Sequence, residues 1–125
     1  ILNKGEGNGN RILRPETVET MSRNQMGDCR VCMLPTTDPS GSLDAEFFPG
    51  LEKTWGLTFM INEERAPTGR SAGSLAWAGL ANSYFWIDPA KGIAGVFMSQ
   101  LLPFVDTQAL ALNLDFEKAV YDGLG

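Results

Sequence analysis

The chain has 125 residues, 43% of them hydrophobic and 20% charged, and a net charge of −5. That length carries one domain with one core, and that balance excludes a disordered chain. An acidic chain repels phosphate backbones, which argues against a nucleic-acid partner, and no apolar run approaches the ~20 residues that a membrane span needs.

Residues 1–13 place Gly5, Gly7 and Gly9 between apolar ends and read as a turn, with Ile1-Leu2-Asn3 as the possible tail of a helix. Pro15 suits a first helical turn, and Glu16 and Glu19 suit its positive end. A helix is expected over 15–25, with Val18, Met21 and Ser22 on its narrow face and Gly27 terminating it. Residues 27–50 carry three prolines and several Ser, Thr and Asp residues and read as a long loop. Phe47-Phe48 within it either anchors the loop to the core or borders a substrate cleft.

Four strand signals follow: Trp55 to Asn62, 72–79, 82–88 and Ile93 to Gln100. Their short connections require antiparallel neighbours. Asp106 can cap a last helix over 107–122, with Ala109, Leu112, Phe116 and Ala119 at helical spacing and Leu110 and Leu114 widening the stripe. The expected fold is α+β: an antiparallel meander of about four strands packed against N- and C-terminal helices. Helices on one face would leave the other wet or in need of cover, and the sheet edges carry no obvious protection. The chain starts at Ile1 rather than methionine, so 1–125 reads as a single incomplete domain, a piece of a longer reading frame or a processed product. With no signal peptide visible, a cytoplasmic site is favoured. A periplasmic one would need a signal on a missing N-terminus.

The chain contains no histidine, the usual general base for a serine or cysteine nucleophile and the commonest zinc ligand. Cys29 and Cys32 form C-x-x-C without a second pair, which leaves free thiols, a local disulfide, or redox or metal chemistry as readings. Gly69-Arg70-Ser71-Ala72-Gly73 matches G-x-S-x-G, but a nucleophile elbow needs a strand before the serine and a helix after it. Here a polar turn precedes and a strand follows, so Ser71 reads as a turn residue. No serine has a lysine three residues on, and Tyr84 and Tyr121 lack the neighbours of a Tyr-x-Asn motif. In Trp77-Ala78-Gly79 an indole stands two residues from a glycine, on the same face of a regular strand. That makes a ledge beside backbone that a ligand can approach. A core tryptophan followed by a strand-end glycine is the plainer reading.

Trp55-Gly56-Leu57-Thr58-Phe59, Gly69 to Ser74, Trp77-Ala78-Gly79, Tyr84 to Pro89 and Gly92 to Val96 occur in an order and spacing that resemble the C-terminal part of serine beta-lactamase-like hydrolases. The match is closest to the family VIII carboxylesterases, which are similar to class C beta-lactamases. Ser99-Gln100 with Pro103, leading into the last helix, and Gly9 to Val18 extend the resemblance over nearly the whole chain, with 27–50 the least diagnostic part. The resemblance implies a bacterial-type serine esterase that works through an acyl-enzyme, without a cofactor or metal, on a small ester or beta-lactam-like amide. It implies that Trp77, Ala78 and Gly79 line the cleft in place of the lactamases' Lys-Thr-Gly, and that the Leu80 N–H is one oxyanion donor. Replacing lysine by tryptophan removes a cation that holds the lactam carboxylate, which favours substrates without one. The family's Ser-x-x-Lys and Tyr-x-Asn motifs are absent, so the missing N-terminal portion would supply them and this chain would be inactive alone. The rival expectation is a non-catalytic module that self-associates or binds a partner through an uncovered sheet.

Overall fold

The computed structural model describes residues 1–124. A two-stranded hairpin, β1 (Glu6–Gly7) and β2 (Asn10–Arg11), precedes α1 (Pro15–Met21). The sheet consists of β3 (Lys53–Trp55), β4 (Met60–Asn62), β5 (Ser74–Gly79), β6 (Ser83–Asp88) and β7 (Ile93–Phe97), and α2 (Thr107–Asp122) ends the chain. The five sheet strands run antiparallel in sequence order, so the architecture is α+β, the fold the sequence leads one to expect.

Several elements differ from expectation. Ile1 to Asn3 lie in a turn, not a helix, and Asn8-Gly9 closes the hairpin that had been expected only as a turn. The helix expected over 15–25 stops at Met21: the Ser22 hydroxyl and amide both donate to the Val18 carbonyl, and the chain turns away so that the Gln25 amide can donate to the Trp55 carbonyl. Gly27 therefore terminates nothing. Trp55 to Asn62 is two strands, β3 and β4, reversed at Leu57-Thr58, with Trp55 paired to Met60. Gly56 permits the reversal, because a Cβ there would lie 2.0 Å from the Met21 carbonyl oxygen. The strand expected to reach Gln100 ends at Phe97.

Both faces of the sheet carry apolar clusters. Leu75, Ile61 and Phe59 meet Ile1 and Met21 on one face; Met60, Ala76 and Trp86 meet Val120 and Tyr121 of α2 on the other. Leu75 and Ala76 are successive strand residues and point to opposite faces, so the two ends of the chain cover opposite sides instead of sharing one. Gly95 of β7 lies directly under Trp86, where a Cβ would be 2.1 Å from Cη2.

The expected apolar stripe of α2 is also corrected. Ala109, Asn113 and Glu117 are buried, while Leu112 is 58% and Phe116 39% exposed. The helix is turned to bring Glu117 to a buried arginine, and a charge needs its partner more than a leucine needs cover. Asp106 caps α2 as expected, its carboxylate accepting from the Gln108 and Ala109 amides at 3.0 Å.

The edges differ too. The Gln25 and Val31 amides donate to the Trp55 and Lys53 carbonyls and cover β3. Among the described residues no hydrogen bond reaches the outer edge of β7.

Candidate functional site

β5 is the centre of the site, and its two ends have different environments. Before it, Gly69 to Gly73 form a turn sealed by charge. Arg70 is 4% and Glu117 0% exposed; Arg70 Nε donates to Glu117 Oε1 at 2.9 Å, and Nη2 donates to Oε2. The Thr68 hydroxyl donates to the same carboxylate, and the Phe48 ring packs 5.1 Å from the guanidinium carbon. Beside this pair the Ser71 amide and the Tyr121 hydroxyl each donate to Asp88 Oδ2 at 2.9 Å, and the Lys91 amide donates to Oδ1. Burial pushes the Asp88 carboxyl pKa up, but these donors more than offset that and hold it below the usual aspartate value. Ser71 is thus a turn residue whose amide secures a buried acid.

Neither tyrosine is poised as a base. Burial and the Asp106 charge push Tyr84 up to about 12, and its hydroxyl donates to Asn82 Oδ1 at 2.6 Å. Burial and the Asp88 hydrogen bond push Tyr121 up as well. Both stay protonated as donors at neutral pH.

The other end of β5 is open. Strict alternation would place Trp77 with Leu75. Its indole instead packs against the Met60–Ala76–Trp86 cluster, with ring centres 4.5 Å from Trp55 and 6.0 Å from Phe47. Trp77 thereby stands between two concavities. One, about 550 Å³, lies between the Glu46–Leu51 loop, the sheet and α2; the other, about 420 Å³, is lined by Cys32, Leu34 and Trp55 among others. Ala78 is half-buried, and Gly79 ends the strand, exposed. A Cβ at Gly79 would meet nothing nearer than 3.9 Å, so the fold leaves room there that it does not use. Leu80 opens a three-residue turn, 62% exposed, closed by Asn82 in the left-handed conformation at φ +57°. Asn82 is buried and saturated: its amide donates to the Leu101 and Pro103 carbonyls and accepts from Tyr84 and the Asp106 amide, fixing the turn against the approach to α2. The structure thus brings Trp77, Ala78, Gly79 and Leu80 together at one exposed strand end.

The long loop is tied to the fold, as the anchoring expectation for Phe47-Phe48 has it. Leu34 and Ala45 exchange backbone hydrogen bonds at 2.9 Å, and the Lys53 ammonium donates to the Phe48 and Leu51 carbonyls. Phe47 and Phe48 anchor the loop and line the larger cavity. Cys29 and Cys32 are free and exposed. Among the described residues no group of three His, Cys, Asp or Glu side chains could hold a metal, and no helix is long and apolar enough to cross a membrane. Trp86, within the Tyr84 to Pro89 stretch, and Asn113, which the sequence does not mark as a candidate, also line the larger cavity. The one signal of Asn113, an asparagine inside the apolar stretch of α2, acquires meaning only from what faces it.

No protein-family model matches the chain, and no curated protein does either. Solved structures do. The LovD6 mutant of simvastatin synthase (LovD) from Aspergillus terreus is similar with 26% identity and a TM-score of 0.71 over 90% of this chain and 29% of that one. The unliganded, selenomethionyl form of the same synthase is similar with 26% identity and a TM-score of 0.69, over 96% of this chain and 31% of that one. The fold is therefore the C-terminal part of a beta-lactamase-like fold, and the likeness supports a place in the serine hydrolase and acyltransferase superfamily built on it. The chain spans less than a third of the length of the solved chains it matches.

Proposed function

We propose that this chain is the C-terminal segment of a serine hydrolase or acyltransferase that handles carboxylic esters or beta-lactam-like amides through an acyl-enzyme. The observation that carries the reading is Gly79, a strand-end glycine that neither backbone conformation nor packing requires, two residues after an indole at the rim of two concavities. A glycine without a structural task leaves backbone for a ligand to approach. In this reading Trp77, Ala78 and Gly79 form one wall of the cleft and the Leu80 N–H donates to the oxyanion of the tetrahedral intermediate. The serine that attacks the acyl carbonyl, and the group that takes its proton, come from upstream sequence. Kinship with the family VIII esterases belongs to the same reading. Likeness to simvastatin synthase, an acyltransferase, adds acyl transfer beside hydrolysis to the same reading.

Assayed on p-nitrophenyl butyrate, the chain alone should give no turnover above buffer. Robust turnover that Ser71→Ala abolishes would overturn the assignment. Upstream coding sequence should contain Ser-x-x-Lys followed by Tyr-x-Asn; its absence would remove the reading.

A second reading is a module that self-associates or binds a partner through its sheet, at the one edge left bare now that both faces are covered. It is favoured by the bare edge of β7, where Val96 is 62% exposed, followed by Met98 at 82%. Sedimentation distinguishes it: a clean monomer over a wide concentration range counts against self-association.

A further inference from the structure

The larger cavity is apolar inside and acidic at its mouth. Phe47, Phe48, Trp77, Leu110 and Leu114, all half-buried, form its wall, and about 550 Å³ is the volume of an ordinary small-molecule site. Four charged residues also line it: Glu46, Arg70, Asp115 and Lys118. The two cations are already matched. The Arg70 fork is held by Glu117 and its face by Phe48, and the exposed Lys118 ammonium donates to Asp122 Oδ2 at 2.7 Å. The two carboxylates are not: among the described residues neither Glu46 nor Asp115 enters an ion pair.

The charges left uncompensated at this mouth are therefore both negative, on a chain whose net charge is −5. A carboxylate or phosphate head would meet like charge there, and would have to share Lys118 with Asp122. A neutral apolar molecule would fill the interior and leave the mouth unused. An organic ammonium uses both parts. Its aryl or alkyl body leaves water for the aromatic wall, and its cation stays at the exposed mouth, where it keeps most of its hydration. We infer that this cavity is a binding site for an apolar amine in its protonated form, its body against Phe47, Trp77 and Leu114 and its ammonium beside Glu46 and Asp115. The inference rests on the cavity and its charges, and it survives if the acyl-transfer reading fails.

The probe is 4-phenylbutylamine, a cation at about pH 7, with 4-phenylbutanol and 4-phenylbutyrate as its neutral and anionic counterparts. Each is titrated into the 125-residue chain and followed by tryptophan fluorescence and thermal melting. The amine should saturate and raise the melting temperature. It should bind about fivefold tighter than the alcohol, and the alcohol about fivefold tighter than the carboxylate, with the order collapsing in about 0.5 M sodium chloride. Glu46→Gln with Asp115→Asn should bring the three probes within about twofold of one another and leave the unliganded melting temperature in place. Glu16→Gln with Asp28→Asn removes the same charge from exposed residues outside the lining and should leave the preference for the amine intact. Leu114→Trp, which fills the cavity from α2, should weaken all three. The inference is overturned if the amine does not saturate the unmodified chain, if the alcohol or the carboxylate binds as tightly, or if either the Glu46 and Asp115 variant keeps the preference or Leu114→Trp binds undiminished. Loss of the preference in the Glu16 and Asp28 variant would overturn it too, since the attraction would then be one of net charge alone. So would a concentration-dependent dimer that the amine dissociates, because a second chain would then be the occupant.

Discussion

The two ends of β5 sit in one continuous stretch of sequence, Gly69 to Leu80, yet they solve opposite problems. At the first end the charged groups are paired: Arg70 by Glu117, Glu117 also by Thr68, the Ser71 amide by Asp88, and Asp88 also by Tyr121. At the second end Gly79 and Leu80 are exposed, and the neighbouring indole borders open space on two sides. The end that matches a nucleophile motif is built as a structural clamp, and the end without a familiar catalytic side chain is built as a surface. A motif's chemistry is decided by what its residues are bound to.

Removing the clamp should have the largest effect. Glu117→Gln leaves the Arg70 guanidinium buried without a counter-charge and should cost about 3–5 kcal/mol in denaturant unfolding. If the pair holds register more than it adds stability, Arg70→Met with Glu117→Leu should cost less than Glu117→Gln alone. A double variant as unstable as the single would show that the ions themselves contribute net stability. Gly69→Ala comes next. Gly69 has φ +108°, and a Cβ there would lie 2.7 Å from Tyr121 Cβ, so backbone strain and overlap together should cost about 2–3 kcal/mol.

Asp88 makes the same end sensitive to acid. Its folded pKa is held below the unfolded value of about 3.9, so its contribution is present in full above that value and is lost as pH falls through the folded pKa. Asp88→Asn keeps an acceptor but not the charge. It should cost about 1–2 kcal/mol at pH 7 and flatten the fall in stability below about pH 4. An unchanged acid slope would place the proton uptake elsewhere.

How much of this was legible follows from distance along the chain. The β5–β6–β7 meander and the Asp106 cap are written in residues a few positions apart, through alternation, short turns and a carboxylate before a helix. The β3–β4 reversal was hidden because Leu57 and Thr58 are not turn formers; what permits it is Gly56 beside the Met21 carbonyl, 35 residues upstream. The inward face of α2 was misread for the same reason. The partner of Glu117 lies 47 residues away, so a rule that buries leucines turned Leu112 and Phe116 inward. Of the candidate site, Trp77 to Leu80 could be proposed on residue type and resemblance. The cavity could not, since the Glu46–Leu51 loop, the sheet and α2 meet only in three dimensions.

The smallest expected effect tests the open end most directly. Gly79 has no positive φ, and the nearest atoms to an added Cβ, on Ser83, are at ordinary contact distance. Gly79→Ala should therefore change unfolding stability by no more than about 0.5 kcal/mol, against the several-fold larger cost at Gly69. A strand accommodates alanine at least as well as glycine, so even slight stabilisation would agree. A loss of 2 kcal/mol or more would mean that Gly79 serves the fold, and the reading of this strand end as ligand-facing backbone would lose its main support. Joined to its upstream sequence, the same substitution should lower kcat/KM on an ester substrate while the melting temperature stays put. That split between activity and stability is one the clamp at the other end of β5 cannot produce.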